Sequence, residues 1–243
     1  MEQALQNPGN ALLQAVSPQV RARFAARLQY VILNKHEVLQ EPGQELEWVH
    51  FPERGLISVQ AETVAGEAVE SGMIGAEGAL GVFEACGSRL SFCRGVVQVP
   101  GAAWKMRTSA YHDMFGACAD LRTAVHKYVE LLLAESRQFV LCNAIHPVER
   151  RLSRFVLDAL DRSGQESLLA MTQESLAQIL GVQRTTVAAC ASALQREGLI
   201  RSGRGTIDVI DRAALERSAC SCRPTLQFIR RELERSSLAS CEA

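Results

Sequence analysis

Long apolar runs are missing from this 243-residue chain. None approaches the roughly 18–20 residues that a membrane span requires. Residues 1–9 are polar and lack the basic and apolar regions of a secretory leader, so the expected location is the cytoplasm. Enzyme signatures are missing too. There is no nucleophile elbow, no glycine-rich phosphate loop and no H-E-x-x-H pair, and no catalytic activity is expected. Nor does any C-x-x-C occur among the eight cysteines: Cys86, Cys93, Cys118, Cys142, Cys190, Cys220, Cys222 and Cys241. Only Cys220 and Cys222 stand close together. Their C-x-C spacing, even with Cys241 nearby, is a weak ligand set, so the cysteines read as small buried hydrophobes in a reducing compartment. An iron–sulfur cluster held by N-terminal cysteines is excluded because the first is Cys86. His36, His50, His112, His126 and His146 stand in no haem-attachment context, and no cofactor or metal is expected.

What is present is ordinary globular material, 47% hydrophobic and 22% charged, at a length that favours two domains. The net charge of −1 conceals an asymmetry. The portion before His146 is net acidic and the portion from His146 onward is net basic, with all 14 of its basic residues arginine. That is a modest electrostatic footprint for nucleic-acid binding.

Between about residues 30 and 107, short apolar runs at 30–33, 48–51, 56–59 and 96–99 alternate with glycines. Short strands with glycine turns predict an antiparallel β-roll over 1–118. The period then changes. Over 119–145, a stretch without proline or glycine, Leu121, Val125, Tyr128, Leu132, Phe139 and Cys142 recur at steps of mostly three and four. They predict a helix of about 40 Å whose near-heptad stripe serves as a dimer interface. His146-Pro147 ends it, and a second domain is expected over 146–243. It opens with an amphipathic helix presenting Leu152, Phe155, Val156 and Leu160.

The segment 171–210 carries the function. Thr172 is placed to cap a helix, Gly181 permits a tight turn, and 183–197 reads as a second helix with Val187 and Leu194 turned inward. Helix, glycine turn and helix form the unit that sets its second helix into the major groove. A hairpin around Gly203-Arg204-Gly205 follows as a wing. Candidate DNA contacts are Thr172, Gln183, Arg184, Thr185, Thr186, Ala188 and Ala189, with Arg201 and Arg204 on the wing. The guanidinium of Arg184 suits guanine O6 and N7, a pairing worth about 1–3 kcal/mol of discrimination.

This order of parts resembles the CRP/FNR superfamily of cyclic AMP receptor and fumarate–nitrate regulators. The resemblance is carried by Phe51-Pro52-Glu53-Arg54-Gly55-Leu56-Ile57-Ser58, by Ile74-Gly75-Ala76-Glu77-Gly78-Ala79-Leu80-Gly81, and by Val97-Gln98-Val99-Pro100-Gly101. His146-Pro147-Val148-Glu149-Arg150-Arg151-Leu152 and the run from Leu176 to Val187 complete it. It implies an α+β fold and a homodimer on a pseudo-palindromic operator, contacting or blocking RNA polymerase. Cyclic-AMP-responsive members carry Arg-Glu and a further arginine on the reading helix. Here only Arg184 matches, against Thr185 and Ala189, which implies a different operator. Cyclic-nucleotide binders also place a glutamate on the ribose and an arginine on the phosphate. Those positions read Ala79 and Ser91-Phe92, so cyclic AMP is not the expected effector. Glu77, Gly78, Ala79, Arg89 and Arg94 mark where another small molecule would sit, unless Glu77 and Arg94 pair with each other. The alternative is a cyclic-nucleotide-binding regulatory module without DNA readout, which has no need of a helix-turn-helix and wing.

Overall fold

The computed structural model describes residues 8–239. Two short helices, α1 (Ala11–Gln14) and α2 (Pro18–Ala25), lead into five strands: β1 (Gln29–Leu33), β2 (Val38–Gln40), β3 (Trp48–Glu62), β4 (Ala68–Ile74) and β5 (Arg94–Arg107). All pair antiparallel in the order β1-β5-β3-β4, with β2 also on β5. The apolar runs 48–51 and 56–59, which read as separate strands, are two halves of β3. Three register shifts between Pro52 and Ile57 join them and bend the strand. At that bend Gly55 has φ +93°, and a Cβ on the facing Gly101 would run into the Arg54 carbonyl. Glycine is required there because two bent backbones cross in contact. Phe24, Phe51, Trp104 and Tyr111 fill the roll beneath the sheet.

After α3 (Thr108–Ala117) comes the long helix α4 (Ala119–Ile145). Leu121, Val125 and Tyr128 pack into the core of the roll in the same chain, and Phe139 and Cys142 are buried further along. The stripe assigned to a dimer contact is therefore already covered, apart from the half-buried Leu132. A second stripe, Val129, Leu133, Ser136 and Val140, lies about a quarter-turn to a third-turn away at steps of four, three and four. Leu133 is 50% exposed and Val140 72%.

Helix α5 (Val148–Ser163) follows; 12 of its 16 residues are buried, which makes it the centre of the C-terminal domain. Each apolar side chain of the Leu152, Phe155, Leu157 and Leu160 kind stabilises by about 1.5–3 kcal/mol when fully enclosed. Strand β6 (Leu168–Leu169), helices α6 (Gln173–Leu180) and α7 (Arg184–Arg196), strands β7 (Ile200–Gly203) and β8 (Thr206–Val209), and helices α8 (Arg212–Ser218) and α9 (Cys222–Ala239) complete the order. The small sheet runs β6-β8-β7.

One buried ionic network joins the parts. Arg162 of α5 donates to Glu77 in the roll (2.5 Å), to Glu135 on α4 (2.6 Å) and to the Met73 carbonyl (2.6 Å). Arg230 of α9 reaches the same Glu135 oxygen at 2.7 Å. Among the described residues, no helix is long and apolar enough to cross a membrane.

Candidate nucleic-acid interface

Thr172 ends an extended stretch and caps α6, its Oγ1 accepting from Ser175 N at 3.0 Å. With that oxygen also 3.0 Å from Ser175 Oγ, the hydroxyl is occupied. Thr172 is thus a half-buried helix cap beside the wing. Gly181 (φ 63°, ψ 41°) then supplies the left-handed residue that closes α6. Gln183 stands at the N-cap of α7, so the helix begins at Arg184, one residue later than expected.

Helix α7 divides cleanly. Val187, Ala191 and Leu194 are buried against α5 and α6 in the domain core, while Gln183, Arg184, Thr185 and Ala189 are exposed. Thr186 and Ala188 are half-buried at the margin of the exposed face. The Arg184 side chain has no ion-pair or hydrogen-bond partner among the described residues. The wing is tied to this helix where Ser202 N donates to Gln195 Oε1 at 2.8 Å. Arg204 is exposed at the hairpin tip, and Gly205 (φ 80°) makes the turn. Arg201 faces Asp208 across the hairpin at 4.0 Å and keeps 74% of its side chain exposed. Exposed donors thus stand both at the start of α7 and on the wing.

A feature without any local sequence signal is the approach of the roll to this surface. The β3–β4 hairpin, with Glu62, Thr63, Glu67 and Val69, faces Gln178, Gly181, Gln183 and Arg184 across a cleft of about 790 Å³. A Cβ at Gly181 would lie 3.2 Å from Val69 Cγ2. The acidic hairpin of the roll therefore stands beside the start of α7.

The residues marked for an effector do not gather into one pocket. Glu77 pairs with Arg162, and Arg94 pairs with Glu41 at 3.3 Å, so the two do not pair with each other. Arg89 takes a left-handed turn (φ 59°). Gly78 lies against Tyr128, where any Cβ would clash with the ring. Of the five, Ala79 alone lines the cavity of about 260 Å³ between the roll and α4. Its other walls include Ile74, Leu80, Val82, Leu132 and Leu133, with Glu84 as its one charged residue. The one cluster of metal-ligand side chains among the described residues lies elsewhere and comprises Cys142, His146, Cys220 and Cys222. Cys142 is thus part of a polar cluster within its own chain. Cys241, considered beside Cys220 and Cys222, lies outside the described residues.

Residues 150–218 match the family model of the Crp-like helix-turn-helix domain. No curated protein matches the chain. Among solved structures, the c-di-GMP responsive global regulator CLP of Xanthomonas campestris is similar at 16% identity and TM-score 0.66, covering 79% of this chain and 99% of that one. FixK2 of Bradyrhizobium japonicum is similar at 15% and 0.67, over 80% of this chain and 98% of its own. A CRP/FNR-family transcriptional regulator of Thermus thermophilus is similar at 21% and 0.63, over 79% and 98%. Residues 150–218 are thus a Crp-like helix-turn-helix domain, carried on a chain with the fold of CRP/FNR-family transcription regulators.

Proposed function

We propose that the chain is a sequence-specific transcription regulator that binds a pseudo-palindromic operator as a homodimer. The observation that carries this reading is the two-sided helix α7. Its core face is buried, while Gln183, Arg184 and Thr185 project into solvent beside an arginine-tipped wing. Arg184 reads a base edge and Arg204 holds phosphate, the division of labour expected of helix and wing. The Val129, Leu133, Ser136 and Val140 stripe supplies the contact between copies, because a heptad-spaced stripe that leaves Leu133 and Val140 exposed on a long helix calls for a second helix. Two copies then present two reading helices about 34 Å apart, and the bound dimer recruits or excludes RNA polymerase.

The roll acts on this surface through its hairpin. Glu62 and Glu67 stand where they would repel phosphates approaching α7, so a shift of that hairpin alters DNA affinity. The apolar cavity between roll and α4 is the place for an effector. With Glu84 present and no basic side chain in its lining, it disfavours an anionic cyclic nucleotide and suits a neutral or apolar molecule. Selection of bound duplexes from a random pool tests the proposal. Enrichment of inverted repeats with half-sites about one helical turn apart is expected. Retention of duplexes without sequence preference would overturn it.

A further inference from the structure

We propose that Cys142, His146, Cys220 and Cys222 form a closed tetrahedral site for a thiophilic divalent cation of the zinc class. Each residue offers one ligand atom, and the four atoms lie within 4.8 Å of one another. Cys142 Sγ is 3.5 Å from Cys220 Sγ, and Cys222 Sγ is 3.4 Å from His146 Nδ1. A tetrahedral zinc with Zn–S of about 2.3 Å and Zn–N of about 2.0 Å has edges of roughly 3.5–3.8 Å. Small side-chain shifts therefore bring the set onto the metal's own dimensions. Three sulfurs and one imidazole fill all four positions, the signature of a structural site.

The fold explains why this set assembles. Cys142 and His146 are one helical turn apart at the end of α4, where His146 N donates to the Cys142 carbonyl at 3.1 Å. Cys220 comes from the link between α8 and α9 and Cys222 from the first position of α9, and Cys220 N is held by the Arg150 carbonyl at 3.2 Å. The three cysteines are buried together as a cluster of their own, and His146 is half-buried. C-x-C alone is a weak ligand pair; the long helix supplies the other half.

The surroundings suit a metal–thiolate group. Gln138 Nε2 donates to Cys222 Sγ at 3.1 Å, the kind of N–H···S contact that orients a ligating sulfur. Ser221 Oγ lies 3.5 Å from His146 Nε2, which places the other ring nitrogen, Nδ1, toward the sulfurs. Three thiolates, a neutral imidazole and a divalent ion sum to −1. Arg151 and Arg154 lie within electrostatic reach of Cys142 and Cys220 and favour thiolates there, although Arg154 also pairs with Asp158 at 3.1 Å. All seven described cysteines are free thiols, so each of the three here is available to a cation. A metal at this point would pin the junction of α8 and α9 to the end of α4, across the helix break at Pro147. The site stands independently of what the domain binds.

The test uses the reduced full-length chain, stripped by a chelator and titrated with Co²⁺, then with Zn²⁺. Expected is one Co²⁺ per chain, with intense tetrahedral d–d bands and sulfur-to-cobalt charge transfer, both bleached by Zn²⁺. Zn²⁺ should also raise the Tm of the stripped protein. Cys222→Ser and Cys220→Ser, each leaving two sulfurs, should each weaken the charge-transfer band at one equivalent and lower the affinity, while Cys86→Ser matches the wild type. The wild-type titration decides the question even if a variant fails to fold. Overturning results are no stoichiometric binding by the wild type, an octahedral spectrum without sulfur bands, or equal weakening in Cys86→Ser.

Discussion

Removing Arg162 should unfasten all three parts of the chain at once. Its guanidinium serves Glu77, Glu135 and the Met73 carbonyl, and its side chain is 4% exposed against 3% for Glu135. In Arg162→Met, Glu135 keeps only Arg230, and the Met73 carbonyl loses its donor. Breaking a buried ion pair from one side costs about 3–5 kcal/mol, because the remaining charge stays desolvated. At roughly 2–4 °C per kcal/mol for a chain of this size, calorimetry should show a Tm lower by about 6–20 °C. Adding Glu77→Gln should restore part of the loss, since Glu77 has no ion-pair partner but Arg162 among the described residues, whereas Glu135 keeps Arg230. The dependence on pH has a definite sign. Burial alone would push the Glu135 carboxyl up, but Arg162 and Arg230 together hold it below the usual carboxylate value. Its stabilisation is present above the unfolded pKa of about 4.3 and is lost as pH falls through the lower folded value. The gap between wild type and variant should therefore narrow in strong acid. A drop under about 2 °C at neutral pH, or a gap that widens in acid, would refute the reasoning.

The exposed stripe of α4 gives a second prediction: Leu133→Asp should yield monomers by sedimentation with the far-ultraviolet dichroism unchanged, and specific DNA affinity should fall with it. A variant that stays dimeric would move the contact elsewhere. His50 is buried opposite Lys105, and burial followed by that charge depresses its pKa to about 4. The unfolded chain takes up the proton first, so stability should decline as pH falls from about 6.5 through 4, by about 3 kcal/mol in total. His50→Asn should lose that part of the slope, and an unchanged pH profile of Tm would contradict it. Arg204→Ala should weaken binding to all duplexes alike and reduce the salt slope by about 1, as loss of a phosphate contact does. A loss confined to one sequence would assign Arg204 to base reading instead.

Much of the fold is written in local patterns. The helix-turn-helix is legible because Thr172, Gly181 and the alternation of Val187, Ala191 and Leu194 with exposed residues each have a local cause. The end of α4 is legible in the same way, from a helical period that stops at Pro147. What could not be read depends on contacts distant in sequence. Leu121, Tyr128 and Phe139 look like an interface stripe, yet a helix packed on its own roll shows the same period as one packed on a partner. Only burial separates that stripe from Val129, Leu133 and Val140. The hairpin against Gly181, the Glu77–Arg162 pair and the meeting of Cys142 with Cys220 join segments that share no local pattern. Of these, the sequence offered a hint only for the last, in the unused C-x-C.

The most direct measurement is the affinity of wild type and Arg184→Ala for a selected operator and for random duplex at one salt concentration. The account predicts a loss of about 1–3 kcal/mol on the operator, relaxed preference at one base pair per half-site and little change on random DNA. Equal loss on both duplexes, or none on either, would contradict the claim that the first turn of α7 reads sequence.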